Sequence, residues 1–503
     1  MANHSESTQK FDVLIIGAGI SGTAAAVELT RSCPEKTFAI LEMRNSIGGT
    51  WDLFRYPGIR SDSDMYTLGY SFKPWTDSKA IASGASILQY IGETIDEFDL
   101  ENKVRLNTRL TAAAWDSSAE HWTLSVTTTE GQETLTCNFL YLGSGYYSYE
   151  AGFNPTLPGE DTFGGAVVHP QQWPESLDHT GKKVAVVGSG ATAITLVPSL
   201  ADTAAEVAMI QRSPTYLATE PNEDPEVDKL REEVGATEAF LRIRERNLTN
   251  QQVRFSQARL DPEAYKADLF DAIDAYVGIE YRKEHFTPTY APWDQRVCFV
   301  PDGDLFESIR KGAARIVTGA IESLEPAGVR MVDGELVEAD IVVKATGLNM
   351  AVAGDAAFTV DGVPVDFAQT YTYKGVAYSG VPNLFFAFGF LNSSWTLRIE
   401  LVNKFWVRVM QRMDELGTRT VVPQLRPEDD GMGTEPFISG VNSGYFKRGL
   451  PLLPKQGHAP WVNPQSYEVT RNLLAEDPQD GVLTFTEAEV TVGYGEIQIG
   501  GRK

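Results

Sequence analysis

The sequence predicts an α/β fold with two Rossmann-like dinucleotide-binding units and a helical insertion. Three observations carry this. An apolar run, a glycine-rich turn, an Ala-rich helical stretch and a second apolar run follow one another over residues 11–42. The same succession returns over residues 181–213. Residues 222–285 then read differently, rich in Glu, Lys, Arg and Ala at helical spacing and poor in strand formers. Strand, glycine turn, helix and strand in that order make a βαβ unit.

In the first unit, 11–16 (FDVLII) is the strand and G-A-G-I-S-G at 17–22 is the turn. Gly17 permits the tight turn, Gly19 lets backbone approach a pyrophosphate, and Gly22 allows close helix–strand packing. The helix that follows, to about Arg31, offers free N–H groups to phosphates at its start. The next strand, 37–42 (TFAILE), ends in Glu42, where a carboxylate accepts hydrogen bonds from ribose hydroxyls and repels a 2′-phosphate. This unit therefore suits FAD or NAD rather than NADP. LGSG at 142–145 reads as the strand end that leaves it.

In the second unit, 183–187 (KVAVV) is the strand, and Gly188, Gly190 and Ala193 form G-x-G-x-x-A. A helix runs to about Leu200, and the strand 206–211 ends without an acid, on Gln211-Arg212-Ser213. A guanidinium takes a phosphate with two charge-assisted bonds, so Arg212, helped by the Ser213 hydroxyl, argues for NADPH. The helical insertion is placed at about 215–295, and strand-like runs resume at 314–317, 329–332 and 340–346. DIVVKATG at 340–347 is read as the strand returning to the first unit. Leu384–Leu391 reads as a buried strand, about 394–416 as a long amphipathic helix, and the chain from 418 on as irregular. The division is then 1–150 and 340–503 for a discontinuous FAD domain, the latter including the C-terminal segment, and 151–339 for the NADPH domain.

Length and composition agree. A chain of 503 residues, 42% hydrophobic, exceeds a single core. A formal net charge of −25 disfavours nucleic acid and anionic lipid. Three cysteines, Cys33, Cys137 and Cys298, form no C-x-x-C pair, which argues against a disulfide framework or a thioredoxin-like centre. No metal-ligand pattern stands out. The polar start MANHSESTQK has no apolar h-region, and no run approaches a transmembrane span, so a reducing cytoplasm is expected.

Two longer stretches add a resemblance. Residues 163–174 read FGGAVVHPQQWP and residues 48–62 read GGTWDLFRYPGIRSD. They resemble the two fingerprints of the FAD-containing Baeyer–Villiger monooxygenases, F-x-G-x-x-x-H-x-x-x-W-P and G-G-x-W-x-x-x-x-Y-P-G-x-x-x-D. The matching positions are Phe163, Gly165, His169, Trp173 and Pro174, then Gly48, Gly49, Trp51, Tyr56, Pro57, Gly58 and Asp62. Residues 48–75, 292–306, 393–402 and 453–457 are most similar to the ethionamide-activating branch. The resemblance implies FAD, NADPH and O₂ as reactants, and conversion of ketones to esters or lactones through a flavin C4a-peroxide, with sulfide S-oxidation alongside. By the same match Arg296 is the catalytic arginine and Asp62 the acid that holds it. Gly49, Trp51 and Tyr66 fall in the cofactor-binding set, and Trp395 resembles a residue near the flavin. Tyr66, Trp51 and Trp75 serve equally well as core aromatics. Gln295 stands where many members have a lysine for the 2′-phosphate, which leaves NADPH selectivity more dependent on Arg212. His169 is read as a hinge or linker residue, with no carboxylate or nucleophile nearby in sequence.

Three rivals remain: a flavin monooxygenase acting mainly on sulfur or nitrogen, a two-dinucleotide disulfide reductase, and a flavin-binding protein without oxygenation. Trp173-Pro174, the absence of C-x-x-C, and the joint presence of Arg296, Asp62 and both glycine turns argue against each in turn. The substrate and the oligomeric state stay open.

Overall fold

Strand Gln9–Ile16 is the hub of the larger sheet in the computed structural model, which describes residues 9–440 and 443–485. The leader-free N-terminus expected from the sequence falls mostly on residues 1–8, outside the described ones. On one side the hub pairs in parallel with Phe38–Leu41, and that strand with Val104–Arg105. On the other it pairs in parallel with Gly131–Leu142, whose last residues pair in parallel with Leu384–Phe386. Arg109–Asp116 and His121–Thr128 extend the sheet as an antiparallel meander. Val13–Ile16 and Phe38–Leu41 are buried on both faces, as parallel strands under helices must be.

The second sheet is five-stranded and wholly parallel. Its order is Ala314–Thr318, Glu206–Gln211, Lys183–Val187, Ile341–Lys344, Ala166–Val168. Here the sequence reading needs a correction. The strand expected to return to the first unit, within 340–347, pairs with Val184–Val187 and stays in the second sheet. Its apolar run suits any buried parallel strand, and only the pairing assigns it to a sheet. The chain re-enters the first sheet later, at Ala357–Val360 beside Ala112–Trp115.

Helix Ile20–Ser32 covers the first sheet, and its small residues Ala24, Ala25 and Ala26 admit helix Trp395–Leu416 at close range. The latter helix turns Leu397, Ile399, Val402, Phe405, Trp406, Val409, Met410 and Met413 inward. Each such aliphatic or aromatic burial contributes about 1.5–3 kcal/mol before conformational entropy is counted. Gly417 ends the helix in the left-handed conformation at φ 67, which costs glycine nothing.

The insertion consists of helices Pro225–Val234, Ala236–Leu260, Pro262–Val277 and Ile279–His285. Strands Leu217–Glu220 and Cys298–Pro301 pair in parallel at its base. Buried Arg244 docks it on the first unit by donating to the carbonyls of Tyr66, Thr67 and Gly69 and to Glu400. Two further expectations change. Leu384–Leu391 is a strand only as far as Phe386. The C-terminal part includes helix Tyr467–Ala475, capped by Ser466 and buried at Thr470 and Leu474.

Candidate functional site

Both glycine turns lie at the carboxyl ends of parallel strands, where α/β sheets bind ligands. In the first, Gly17 N donates to Leu41 O at 2.7 Å. A Cβ on Gly22 would stand 1.9 Å from Gly17 O, so only glycine lets the helix start against the turn. Gly19 caps helix Ile20–Ser32 without any side chain bonding the first N–H groups. The Gly48–Gly49 loop folds over this turn, with Gly48 N donating to Ala18 O. Glu42 is 3% exposed; it accepts from Ala18 N at 2.9 Å and Arg44 N at 3.0 Å. Burial pushes its pKa up, and those two bonds pull it back.

Beside this turn lies one cavity of about 300 Å³. Gly17, Gly19, Glu42, Gly49, Trp51, Asp62, Arg296 and Trp395 all face it. Ala191, Thr192 and Thr195 of the second glycine-turn helix border it as well, so the two nucleotide units share a single cleft. The glycine backbone, the uncapped helix start and the cleft-facing carboxylate fit a dinucleotide such as FAD.

Loop 48–62 joins the units physically. Tyr56 bonds the Thr192 side chain. Gly58, at φ +76, leaves room for Ser199, whose Oγ a Cβ there would meet at 1.9 Å. The same loop delivers Asp62, whose Oδ2 lies 2.7 Å from Arg296 Nη1. The pair sits deep in the molecule yet on the wall of an open cleft, so its side chains stay 40% and 37% exposed. Burial works against the Arg296 charge, but the Asp62 carboxylate outweighs it, and the pKa moves up. Arg296 is thus a permanent cation with donors facing the cleft.

The second turn is placed as the sequence expects. Gly190 caps helix Ala191–Ala201 without a side-chain bond, and Ala193 is fully buried. Ser189 Oγ donates to Ser213 O at 3.0 Å. Arg212 and Ser213 are exposed at the end of strand Glu206–Gln211. Among the described residues Arg212 has no hydrogen-bond or ion-pair partner. Gln295 is half-buried one residue before Arg296, outside the cavity lining.

Some expected residues go elsewhere. Tyr66 is buried against Phe240 of the insertion, its hydroxyl donating to Asp77 O, and it does not line the cleft. Trp75 packs edge-on to Tyr90 and donates to Lys79 O. Both are core aromatics. Trp395 does reach the cleft, with its indole N–H on Ser21 Oγ at 2.8 Å. His169 lies away from it. Its Nδ1 accepts from Gln171 N, which leaves Nε2–H to donate to Gly347 O at 3.2 Å. Burial lowers its pKa, so the ring is neutral and both nitrogens are committed to backbone.

The structure adds what the sequence reading lacks: Tyr146, Tyr147 and Tyr445 around Arg296. The sequence signal was Y-Y immediately after the strand end at 142–145. Tyr445, some 300 residues downstream, offered none. Among the described residues no cluster of His, Cys, Asp and Glu could hold a metal ion, and no helix is long and apolar enough to cross a membrane.

Comparison with known proteins agrees with this geometry. The family model for pyridine nucleotide-disulphide oxidoreductases matches residues 11–237. The FAD-containing monooxygenase EthA of Mycobacterium tuberculosis is 45% identical over 491 residues, covering 97% of this chain and 100% of that protein. Among solved structures, an oxidized steroid monooxygenase bound to NADP has a TM-score of 0.77 at 24% identity, covering 95% of this chain and 100% of its own. Cyclohexanone monooxygenase bound to ε-caprolactone has a TM-score of 0.75 at 21% identity, with the same coverage.

Proposed function

The chain belongs to the family of FAD-containing monooxygenases, and from that premise we propose that it is a Baeyer–Villiger monooxygenase, with sulfide oxidation as a second activity of the same site. The overall reaction converts a ketone, O₂, NADPH and a proton to an ester or lactone, water and NADP⁺. The observation that carries the reading is the Asp62–Arg296 pair on the wall of a cleft bordered by both glycine turns.

FAD, when bound, supplies hydride acceptance from NADPH and activation of O₂. The chain supplies the rest. Gly17, Gly19 and Gly49 leave space for the diphosphate, Gly22 lets the helix start against the turn, and Glu42 meets the ribose. Gly188, Gly190 and Ala193 cradle the second dinucleotide, with Arg212 and Ser213 as its 2′-phosphate contacts and Gln295 in place of a lysine for that phosphate. Trp51 and Trp395 supply apolar wall to the cleft. As oxygen adds to the ketone carbon, negative charge builds on the carbonyl oxygen, and Arg296 donates to it while Asp62 holds the guanidinium in place. The proposed division into an FAD domain and an NADPH domain is supported by the two sheets, with the boundary moved from 339 to after Lys344 because Ile341–Lys344 pairs in the second sheet. A reducing cytoplasm belongs to the same proposal, supported by three free, buried cysteines.

The test is aerobic NADPH oxidation by the yellow holoenzyme with phenylacetone and methyl phenyl sulfide, scoring ester, sulfoxide and H₂O₂. Arg296→Ala is expected to retain flavin and to lose ester formation by about 10²–10³-fold, the effect of removing one preorganised donor. Sulfoxide with no ester from any ketone would move the enzyme to heteroatom oxidation. Peroxide alone would overturn the monooxygenase reading.

A further inference from the structure

Arg296 does not stand alone on the cleft wall. Tyr147 and Tyr146 both line the cavity beside it, Tyr147 half-buried and Tyr146 only 8% exposed. Their hydroxyls are 2.5 Å apart and their ring centroids 4.1 Å. Tyr146 is stacked on Trp395 at 5.1 Å and on Phe446 at 6.1 Å, so its orientation is fixed from both sides. Tyr445, from helix Gly444–Gly449, bonds both hydroxyls and lies 6.3 Å from the Tyr147 ring. An isolated bridge to Met350 fixes the Tyr147 backbone.

A substrate carbonyl oxygen has two lone pairs, so it can accept a second donor beside the guanidinium that Asp62 holds. A second cation there would repel Arg296. A phenol is a donor without charge. We propose that Tyr147 is a second hydrogen-bond donor to the substrate oxygen beside Arg296, and that Tyr146 and Tyr445 are positioning residues that aim its hydroxyl into the cleft. The three hydroxyls hold three protons: with Tyr445 donating to Tyr146 and Tyr146 to Tyr147, the Tyr147 proton turns from Tyr445 toward a substrate oxygen in the cleft. Burial, reinforced by Tyr445, holds the Tyr147 pKa well above its ordinary value, so the phenol keeps its proton throughout the working range.

The proposal rests on the Baeyer–Villiger reading, and it makes a distinction that reading does not. Oxygen addition to a ketone builds charge on the substrate oxygen, whereas attack by a sulfide sulfur does not. Tyr147 is thus tied to ester formation and not to sulfoxide formation.

The experiment compares wild-type, Tyr147→Phe and Tyr445→Phe holoenzymes at equal flavin content. Tyr147→Phe is expected to lower kcat for the ester from phenylacetone about 10–100-fold with KM little changed. Sulfoxide from methyl phenyl sulfide should stay within about twofold, and the affinity for δ-valerolactam, read by flavin fluorescence, should weaken about fivefold. Tyr445→Phe should show the same pattern at about three- to tenfold for the ester. Equal losses of ester and sulfoxide, or no loss of either, overturn the proposal. A wild-type enzyme that makes sulfoxide and no ester overturns the Baeyer–Villiger reading instead, and the lactam affinity still decides the role of Tyr147. Should Tyr147→Phe fail to hold flavin, Tyr445→Phe, which lies outside the cavity lining, carries the same test.

Discussion

Replacing Arg244 with Met should loosen the helical insertion without unfolding the nucleotide units. Arg244 is 8% exposed, and its Nη1 donates to Gly69 O at 2.6 Å and to Tyr66 O and Thr67 O at 3.0 Å. Its Nη2 meets Glu400 Oε2 at 3.1 Å. Met keeps the apolar stem and removes every donor. Three carbonyls then lose a charged partner, and Glu400 keeps only the Ser71 N–H at 2.6 Å. Hydrogen bonds to a charged group contribute about 1.5–3 kcal/mol each, but they are not additive, and breaking a buried pair typically costs about 3–5 kcal/mol. That is about a hundredfold or more in the opening equilibrium of the docked insertion. Because a chain with several structural units need not unfold in one step, a global melting midpoint is the wrong readout. Amide hydrogen exchange across helix Ala236–Leu260 reports the local equilibrium. The control is Arg242→Ala on the same helix, whose pair with Glu238 is about half exposed on both sides and contributes less than about 0.5 kcal/mol. Exchange that rises equally in the two variants, or in neither, would refute the reasoning. Since the insertion also carries Gln251, which bonds Asp64, Thr67 and Ser393, the loosening should reach the loop that holds Asp62 and slow turnover.

Two further outcomes follow from the cleft and its margins. Arg212→Ala should raise KM for NADPH about 10–100-fold and leave KM for NADH nearly unchanged, because the loss falls on the 2′-phosphate alone; steady-state kinetics with both nucleotides check it, and an equal effect on both would remove Arg212 from that role. For His169 the folded state favours the neutral ring, with a pKa below the ordinary 6.5, so its contribution to stability is present above about that value and fades as pH falls through the lowered folded value. His169→Gln, which keeps a donor and an acceptor without titrating, should flatten the acid limb of a denaturation-midpoint series below the ordinary histidine value of about 6.5.

Residues that act through local backbone geometry were legible in the sequence. Gly17, Gly22, Gly188 and Ala193 sit where the turn spacing places them, because a tight strand-to-helix turn has few solutions. Asp62 and Arg296, 234 positions apart, were paired only through a resemblance, since no periodicity links them. Tyr66 shows the opposite limit: its residue type suits a cofactor wall or a core equally, and docking of the insertion decided for the core.

The sequence by itself determined the two βαβ units, the helical character of 222–285 and the chemistry each unit can bind, because these depend on dihedral preference, period and charge within a few residues. Tertiary structure alone decided that strand Ile341–Lys344 joins the second sheet, that both turns open on one cleft, and that Tyr146, Tyr147 and Tyr445 gather around Arg296. Pairing and packing between distant segments are set by which buried surfaces fit one another, and an apolar strand or a lone tyrosine has no local feature that names its partner.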